Sequence, residues 1–202
     1  TWLNRSFARR WYERRVQSLV RSPDVVISPS RFLAGFYGAR GFFPESRVEI
    51  LPNPIPEAAF TPLGPRPDGP LRILFAGQLE THKGVIFLLE TLNALDIPFQ
   101  LHIAGEGSLA SYVTEWTERD PRVHYHGFVS LENLFNLFSI CDVTVVPSLC
   151  YENSPTVISE SFLSGEPVIA SDIGGVGELV RDGENGYLIT PGSRHELSAA
   201  LK

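Results

Sequence analysis

The last two thirds of the chain alternate between short apolar runs with strand character and amphipathic runs with helical spacing. From residue 71 onwards the runs are LRILFA, GVIFLLETLNAL, FQLHIA, SLASYVTEWTE, VHYHGF, LENLFNLF, DVTVVP, PTVISESFLS, PVIAS, GVGELV and GYLI. Such alternation predicts an α/β fold, a parallel sheet flanked by helices. Ligands of these folds bind at the carboxyl ends of the strands, so the loops there are expected to carry the chemistry.

A proline-rich segment separates this region from the first part of the chain. Residues 52–70 hold seven of the sixteen prolines, which predicts a linker. Before it, DVVIS (24–28) and RVEIL (47–51) have strand character, with helical patterns before and between them. We therefore predict three parts: residues 1–51 as the end of another domain, 52–70 as the linker and 71–202 as the ligand-binding domain.

Charge is distributed unevenly between the two halves. Residues 1–70 carry ten arginines and six acids, a balance of +4, whereas residues 71–202 carry seven basic and seventeen acidic residues, a balance of −10. The arginines near the N-terminus scatter around a helix and interleave with aromatic and apolar residues, so they form no clean basic face. We expect this helix to contact solvent or a neighbouring domain, and we expect no nucleic-acid partner.

Cysteine usage and hydropathy indicate the compartment. The two cysteines, Cys141 and Cys150, have no CxxC spacing, which argues against a disulfide framework and a structural zinc site. No run of about 18 apolar residues occurs, and the first residues lack a signal-peptide profile. The expected location is the cytoplasm.

The segment GEGSLA (105–110) matches the glycine pattern of a dinucleotide-binding turn. That fingerprint belongs to the first strand-to-helix turn of its unit and needs an acid about 20 residues later. Here a complete strand–helix unit precedes it, and the next strand ends in His126, Gly127 and Phe128. A glycine turn, with or without another ligand, is therefore favoured over nicotinamide or flavin binding.

Two carboxylates flank the start of a helix in YENSPTVISESF (151–162). Ser154 and Pro155 predict a helix whose first residue is Pro155, and whose N-terminal N–H groups at Thr156 and Val157 could attract a diphosphate. Glu152 precedes the helix and should face neutral hydroxyls or developing positive charge, since a carboxylate repels phosphate. Glu160, in the second turn, is placed to accept both hydrogen bonds of a vicinal diol such as that of ribose. The alternatives are an exposed loop acid and a surface helix acid.

The loop FAGQLETHKGV (75–85) approaches the same edge of the sheet from the first strand. Lys83 and Gly84 open its helix, and a lysine there supplies a compact positive charge for phosphate. The spacing is not that of a Walker loop, and a solvated lysine at a helix start is the alternative.

Together these motifs resemble the donor-binding, C-terminal domain of the retaining glycosyltransferase family 4 (glycosyl transferases group 1), which has the GT-B fold. AGQLETHKG resembles the family's G-R-L-x-x-x-K-G loop, HIAGEG its G-x-G turn and HGFV its G-x-V segment. The segment 147–189 resembles the long signature with two glutamates separated by seven residues, followed by G-x-P-V-I-A and G-G-x-x-E. The resemblance is strong over residues 71–202 and looser before them.

The resemblance implies transfer of a sugar from a nucleoside diphosphate sugar to an acceptor hydroxyl, with retention at the anomeric carbon. It implies that Lys83 binds the diphosphate, that Glu160 binds the ribose, and that Glu152 acts catalytically beside the donor sugar. The remaining donor contacts would come from Gly77, Gln78, Gly105, Phe128, Asn153, Ser154, Thr156 and Val157. The donor is a substrate, and no cofactor is implied.

Two departures from the family pattern stand out. Gln78 occupies the position of the usual arginine, which removes one fixed charge that would bind phosphate. A complete enzyme of this fold has two Rossmann-like domains, so the resemblance implies that residues 1–51 are only the end of the acceptor-side domain. We expect this chain alone to be inactive.

No metal site is expected. The chain contains no Asp-x-Asp triplet to hold a cation across a diphosphate, and His124 and His126 lack an evident third ligand. The partners implied are a nucleotide sugar and an acceptor that the sequence leaves open among glycans, lipid-linked sugars and small molecules. A peripheral contact of the full-length protein with the cytoplasmic face of a membrane also stays open. The alternatives are a non-catalytic nucleotide-sugar-binding module, a GT-B epimerase or phosphorylase, and a dinucleotide oxidoreductase.

Overall fold

The computed structural model describes residues 2–21, 23–55 and 68–202, with side chains 2–8, 13 and 17 left out. The chain divides into two compact units, Thr1–Asn53 and Pro54–Lys202. Most of the predicted linker, residues 56–67, lies outside the described residues. The linker and the domain boundaries at residues 51 and 71 therefore stay predictions.

The first unit contains two helices and a pair of short strands. Its elements are α1 (Trp2–Val20), β1 (Val25–Ser28), α2 (Arg31–Gly38) and β2 (Arg47–Ile50). Ser30 caps α2, because its side chain accepts a hydrogen bond from the backbone N–H of Leu33. β1 and β2 pair in parallel, as expected of strands joined by a crossover helix.

The second unit is a six-stranded parallel sheet with helices on both faces, which confirms the predicted fold class. Its strands are β3 (Leu71–Ala76), β4 (Phe99–Ala104), β5 (Val123–Tyr125), β6 (Val143–Val146), β7 (Val168–Ser171) and β8 (Gly186–Ile189). Its helices are α3 (Val85–Asn93), α4 (Ala110–Arg119), α5 (Leu131–Ile140), α6 (Thr156–Leu163) and α7 (Arg194–Ala200). Short 3₁₀ turns lie at Thr81–Lys83 and Val176–Glu178.

The strand order of this sheet is β5-β4-β3-β6-β7-β8. The chain moves outwards from β3 in one direction through β4 and β5, and from β6 in the other direction through β7 and β8. The order therefore reverses between β3 and β6. The loops that follow these two strands flank a crevice at the carboxyl edge, which is where open α/β sheets bind ligands.

Both faces of the sheet are buried, as the apolar strand sequences predict. Along β3, Ile73 and Phe75 join the core beneath α3, α4 and α7, whereas Leu74 packs on the opposite face with Leu137 and Phe138 of α5. A third cluster joins α6 to β6, β7 and the turn after β7. Alternate side chains along a strand therefore pack against the helices on opposite faces of the sheet.

Three local predictions differ from the structure. The run GVGELV forms only the turn Val176–Glu178 and no full helix, since glycines stand at both 175 and 177. β5 ends at Tyr125, short of the predicted HGF extension. Helix α6 begins at Thr156, so Pro155, rather than Ser154, holds the cap position, with an extended ψ of 116°.

Candidate functional site

The loops after β3 and β6 meet closely at the crevice. Gly84, just after the turn Thr81–Lys83, has a φ of 82°, and a Cβ there would lie 2.0 Å from the carbonyl oxygen of Pro147 at the end of β6. Only glycine meets both conditions. The N–H of Leu149 also donates to the carbonyl of His82 at 2.8 Å. This contact brings Lys83 of the first loop beside the second.

Lys83 forms an ion pair with Glu152. The Lys83 Nζ donates to Glu152 Oε1 at 2.6 Å, and the buried Ser148 Oγ donates to the same oxygen, also at 2.6 Å. Glu152 is only 8% exposed. A carboxylate this buried is stabilised by such charged and hydrogen-bonding partners, which offset the loss of its contacts with water. Of the two, Lys83 was predicted as a site residue from the sequence, whereas Ser148 was not.

The backbone of Glu152 is held from behind by the loop after β7. The N–H of Gly175 donates to the Glu152 carbonyl at 2.7 Å. Gly174 has a φ of 67°, and a Cβ at this position would lie 2.1 Å from that same oxygen. The two glycines therefore fix where the loop carries Glu152, which explains in physical terms the G-G pattern seen in the sequence.

Glu160 is a half-buried carboxyl in the second turn of α6. Burial raises its pKa above the ordinary value, and a hydrogen bond from the Thr156 side chain opposes that rise. A ligand that donates hydrogen bonds to Glu160 would therefore stabilise its ionised form.

A buried polar chain anchors the helix that carries Glu160. Ser161 donates to the Thr144 hydroxyl at 3.1 Å, and Thr144 donates to Glu166 Oε2 at 3.0 Å. Thr144 lies in β6 and Glu166 precedes β7, so the chain ties α6 to both strands. Because all three side chains are buried, the network resists displacement of the helix.

Two adjoining cavities occupy the crevice. The Phe128 cavity has a volume of about 410 Å³ and the Lys83 cavity about 310 Å³. The Phe128 cavity is lined by Ala76, Gly77, Gln78, Ala104, Gly105, Glu106, Phe128, Val129, Leu134, Thr156, Val157 and Glu160. The Lys83 cavity is lined by Phe75, Ala76, Gly77, Gln78, Lys83, Val145, Val146, Pro147, Ser148, Glu152, Pro155, Thr156 and Val157. They share five residues, so they form one continuous cleft.

Comparison with known proteins decides what kind of domain carries this cleft. Residues 70–202 match the model of the family described as glycosyl transferases group 1. The chain belongs to the glycosyl transferases group 1 family. The match covers the second unit from just before β3 to the last residue, and it includes the whole cleft.

Among curated members of this family, the chain is similar to the lipopolysaccharide 1,2-N-acetylglucosaminetransferase of Salmonella typhimurium. The two are 28% identical over 186 residues, which cover 80% of this chain and 48% of that protein. The chain therefore spans about half the length of this relative.

Solved structures give the same fold. Sucrose-phosphate synthase from Thermosynechococcus elongatus superposes with a TM-score of 0.78 at 25% identity, over 92% of this chain and 50% of that one. Anabaena HepE, solved in complex with UDP and glucose, gives a TM-score of 0.72 at 25% identity, over 93% of this chain and 55% of the other. The structural neighbours are GT-B glycosyltransferases.

Most of the predicted donor-binding residues line the cleft of this glycosyl transferases group 1 domain. Gly77, Gln78, Thr156 and Val157 line both cavities; Gly105, Phe128 and Glu160 line only the first, and Lys83 and Glu152 only the second. Asn153 and Ser154 line neither cavity; they lie half-buried and buried in the loop beside Glu152. The roles assigned to these residues stay predictions.

Sequence reasoning missed some of the cleft residues. Ser148, which binds Glu152, is the first polar residue after the buried strand β6, and that position at a carboxyl edge could have indicated it. Val129 and Leu134 make the Phe128 cavity apolar, and nothing in their spacing distinguishes them from core residues.

A histidine cluster is formed by His102 of β4, His124 of β5 and His126, which directly follows β5. His102 and His124 are register partners, and His102 Nδ1 lies 3.0 Å from His126 Nε2. His102 thus joins the two histidines considered in the sequence. Across the described parts of the chain, no group of three or more histidine, cysteine, aspartate or glutamate residues is arranged to hold a metal ion.

Within residues 2–21, 23–55 and 68–202, every helix is too short or too polar to cross a lipid bilayer.

Proposed function

We propose that this chain is the donor-binding part of a retaining glycosyltransferase that moves a sugar from a nucleoside diphosphate sugar to an acceptor hydroxyl. The observation that carries the proposal is the order of chemistry along the cleft. An apolar pocket is followed by a carboxyl, then by a helix N-terminus, then by a lysine and a second carboxyl. A nucleotide sugar presents base, ribose, diphosphate and sugar in the same order.

The base and the ribose are assigned to the Phe128 cavity. Phe128 is 77% exposed and can stack on a base, since base–aromatic stacking contributes about 1–3 kcal/mol and tolerates any base. Glu160 lines the same cavity and would accept a hydrogen bond from each of the two ribose hydroxyls. Backbone groups near Gly105 would contact the edge of the base.

The diphosphate is assigned to the residues that the two cavities share. The N–H groups of Thr156 and Val157 open α6 and favour an anion at its N-terminus. Lys83 would supply the positive charge, and Gln78 would donate hydrogen bonds where other members of the family are expected to carry an arginine. With these groups in place, the proposed reaction needs no metal ion.

The sugar is assigned to the Lys83 cavity, beside Glu152. Retention through an oxocarbenium-like transition state develops positive charge at the anomeric carbon and negative charge on the departing diphosphate. Glu152 would stabilise the first and hold sugar hydroxyls, whereas Lys83 and α6 would stabilise the second. Preorganised groups of this kind act strongly because they need not reorient during the reaction.

The acceptor and the setting of the reaction are also part of the proposal. UDP and glucose are bound in the HepE structure, and the Salmonella relative is named for action on lipopolysaccharide. By analogy, this chain would serve in glycan biosynthesis on the cytoplasmic side of a membrane, with an acceptor read by a domain other than residues 71–202.

A ligand screen on the purified chain tests the donor class. UDP, GDP, ADP and NADH are compared by thermal shift, and a nucleotide at 100 times its dissociation constant should stabilise the chain by about 2.7 kcal/mol. Stabilisation by a nucleoside diphosphate supports the proposal. Stabilisation by NADH alone would indicate a dinucleotide oxidoreductase and would overturn it.

A further inference from the structure

The ion pair between Lys83 and Glu152 sets two anions in competition for one cation. If the proposed function is correct, a diphosphate must be neutralised by the same ammonium that donates to Glu152 Oε1 at 2.6 Å. Lys83 is the only basic residue among the described residues that line either cavity. Gln78, which lines both, carries no charge that could neutralise the diphosphate instead.

Other contacts hold Glu152 at this position. Ser148 donates to the same oxygen, and Gly174 and Gly175 hold the Glu152 backbone. An incoming diphosphate must therefore draw Lys83 away from Glu152 or share it at close range. Either outcome is unfavourable, because a buried carboxylate loses its counter-ion or lies next to a second anion.

We propose that Glu152 determines the specificity of the cleft for the intact nucleotide sugar over the free nucleoside diphosphate. The hydroxyls of a donor sugar would donate to Glu152 and replace the interaction that Lys83 withdraws. A free nucleoside diphosphate has no donor sugar, so nothing replaces the hydrogen bond that Glu152 loses when Lys83 turns to the diphosphate, and its binding is weakened. After transfer, Glu152 would regain Lys83 and so assist release of the nucleoside diphosphate. This inference rests on the proposed function.

The test uses calorimetry to measure how Glu152→Gln changes the affinity of this chain for UDP and for UDP-glucose. If a guanine or adenine nucleotide binds better, GDP and ADP with their glucose derivatives replace this pair. The neutral amide cannot hold Lys83 by charge. The affinity for UDP should therefore rise about tenfold, which corresponds to about 1.4 kcal/mol. The affinity for UDP-glucose should rise less or fall, because its sugar hydroxyls lose a charged acceptor.

Asp172→Asn is the matched control. Asp172 follows β7 at the same carboxyl edge, is exposed and lines neither cavity, so its replacement removes one negative charge without touching Lys83. Its effect on UDP affinity should stay below about twofold, because solvent and salt largely screen an exposed charge that lines neither cavity. An equal gain in both variants would show a general charge effect and would overturn the inference.

Other outcomes separate this inference from the proposed function. If the wild-type chain binds UDP and Glu152→Gln leaves that affinity unchanged or lowers it, Glu152 is no competitor and the inference fails alone. If the wild-type chain binds none of the nucleotides, the proposed function and the inference fail together. If Glu152→Gln unfolds in a thermal melt, Glu152→Ala removes the carboxylate and serves in the same comparison.

Discussion

At the scale of single residues, Glu160 is subject to opposing requirements of stability and binding. Burial raises its pKa, so the folded chain holds the proton more firmly than the unfolded chain does. The resulting stabilisation is present at low pH and is lost as the pH rises from the ordinary value of 4.5 through the raised pKa. At neutral pH the ionised carboxylate therefore destabilises the fold, while it is the form that a ribose diol would bind.

Glu160→Gln should separate these effects. The amide keeps the size but loses the charged acceptor, so affinity for a nucleoside diphosphate should fall by roughly 1.5 to 3 kcal/mol. The melting temperature of the ligand-free variant should rise relative to wild type, and by more at pH 7 than at pH 4. Calorimetry and thermal melts at both pH values measure the two effects.

The control for this prediction is Glu118→Gln, which changes an exposed acid on α4. It should alter neither nucleotide affinity nor the pH dependence of melting. Unchanged nucleotide affinity in Glu160→Gln would remove the ribose assignment, even if the melting temperatures shift as expected.

Gln78 offers a gain-of-function prediction at the same scale. It is exposed, lines both cavities and stands where the family resemblance implies an arginine. Gln78→Arg should strengthen nucleoside diphosphate binding by roughly 1 to 3 kcal/mol, because it adds a charged donor that does not depend on Glu152. Titration of UDP at low and at high salt measures this gain, which should shrink at high salt. Weaker binding in the arginine variant would show that position 78 does not face the phosphates.

At the scale of secondary-structure elements, periodicity predicted the strands and most helices, since each burial pattern follows from local apolar spacing. It failed where glycine breaks the pattern, as in the turn Val176–Glu178. The sequence predicted that Lys83 and Glu152 lie at the same edge of the sheet. It did not predict their ion pair, because the two residues are 69 positions apart in the chain. Contacts of that kind depend on the order of strands in the sheet. No local motif predicts that β3 and β6 are neighbours.

The paired strands β4 and β5 give a prediction of pH dependence. Burial, together with the charges of His124, His126 and Arg72, lowers the pKa of His102 to about 4, and burial also lowers that of His126. The unfolded chain therefore binds protons more readily than the folded one, and stability is lost as the pH falls from about 6.5 towards 4. Chemical denaturation across this range should show a steeper loss in wild type than in His102→Gln. His195→Gln, at an exposed position on α7, is the control and should keep the wild-type slope.

At the scale of the whole molecule, the cleft places the proposed donor contacts in one unit. Pro54–Lys202 contains every residue that lines the two cavities, and the matched family model lies within it. The relatives are longer: the matched segments cover between 32% and 48% of the curated proteins. Binding and transfer should therefore be separable in this chain.

We expect this chain to bind a nucleotide sugar without transferring it at a useful rate. Transfer requires an acceptor held against the anomeric carbon, and positioning of that kind can supply about 7 to 11 kcal/mol of a barrier. The roles proposed for Lys83, Glu152 and Glu160 are contacts with the donor, and none of these roles orients an acceptor. Calorimetry should thus detect UDP-sugar binding, while incubation with labelled donor and candidate acceptors should yield product only at background level. Efficient glycoside formation would contradict this expectation, because it would place a working acceptor site within these 202 residues.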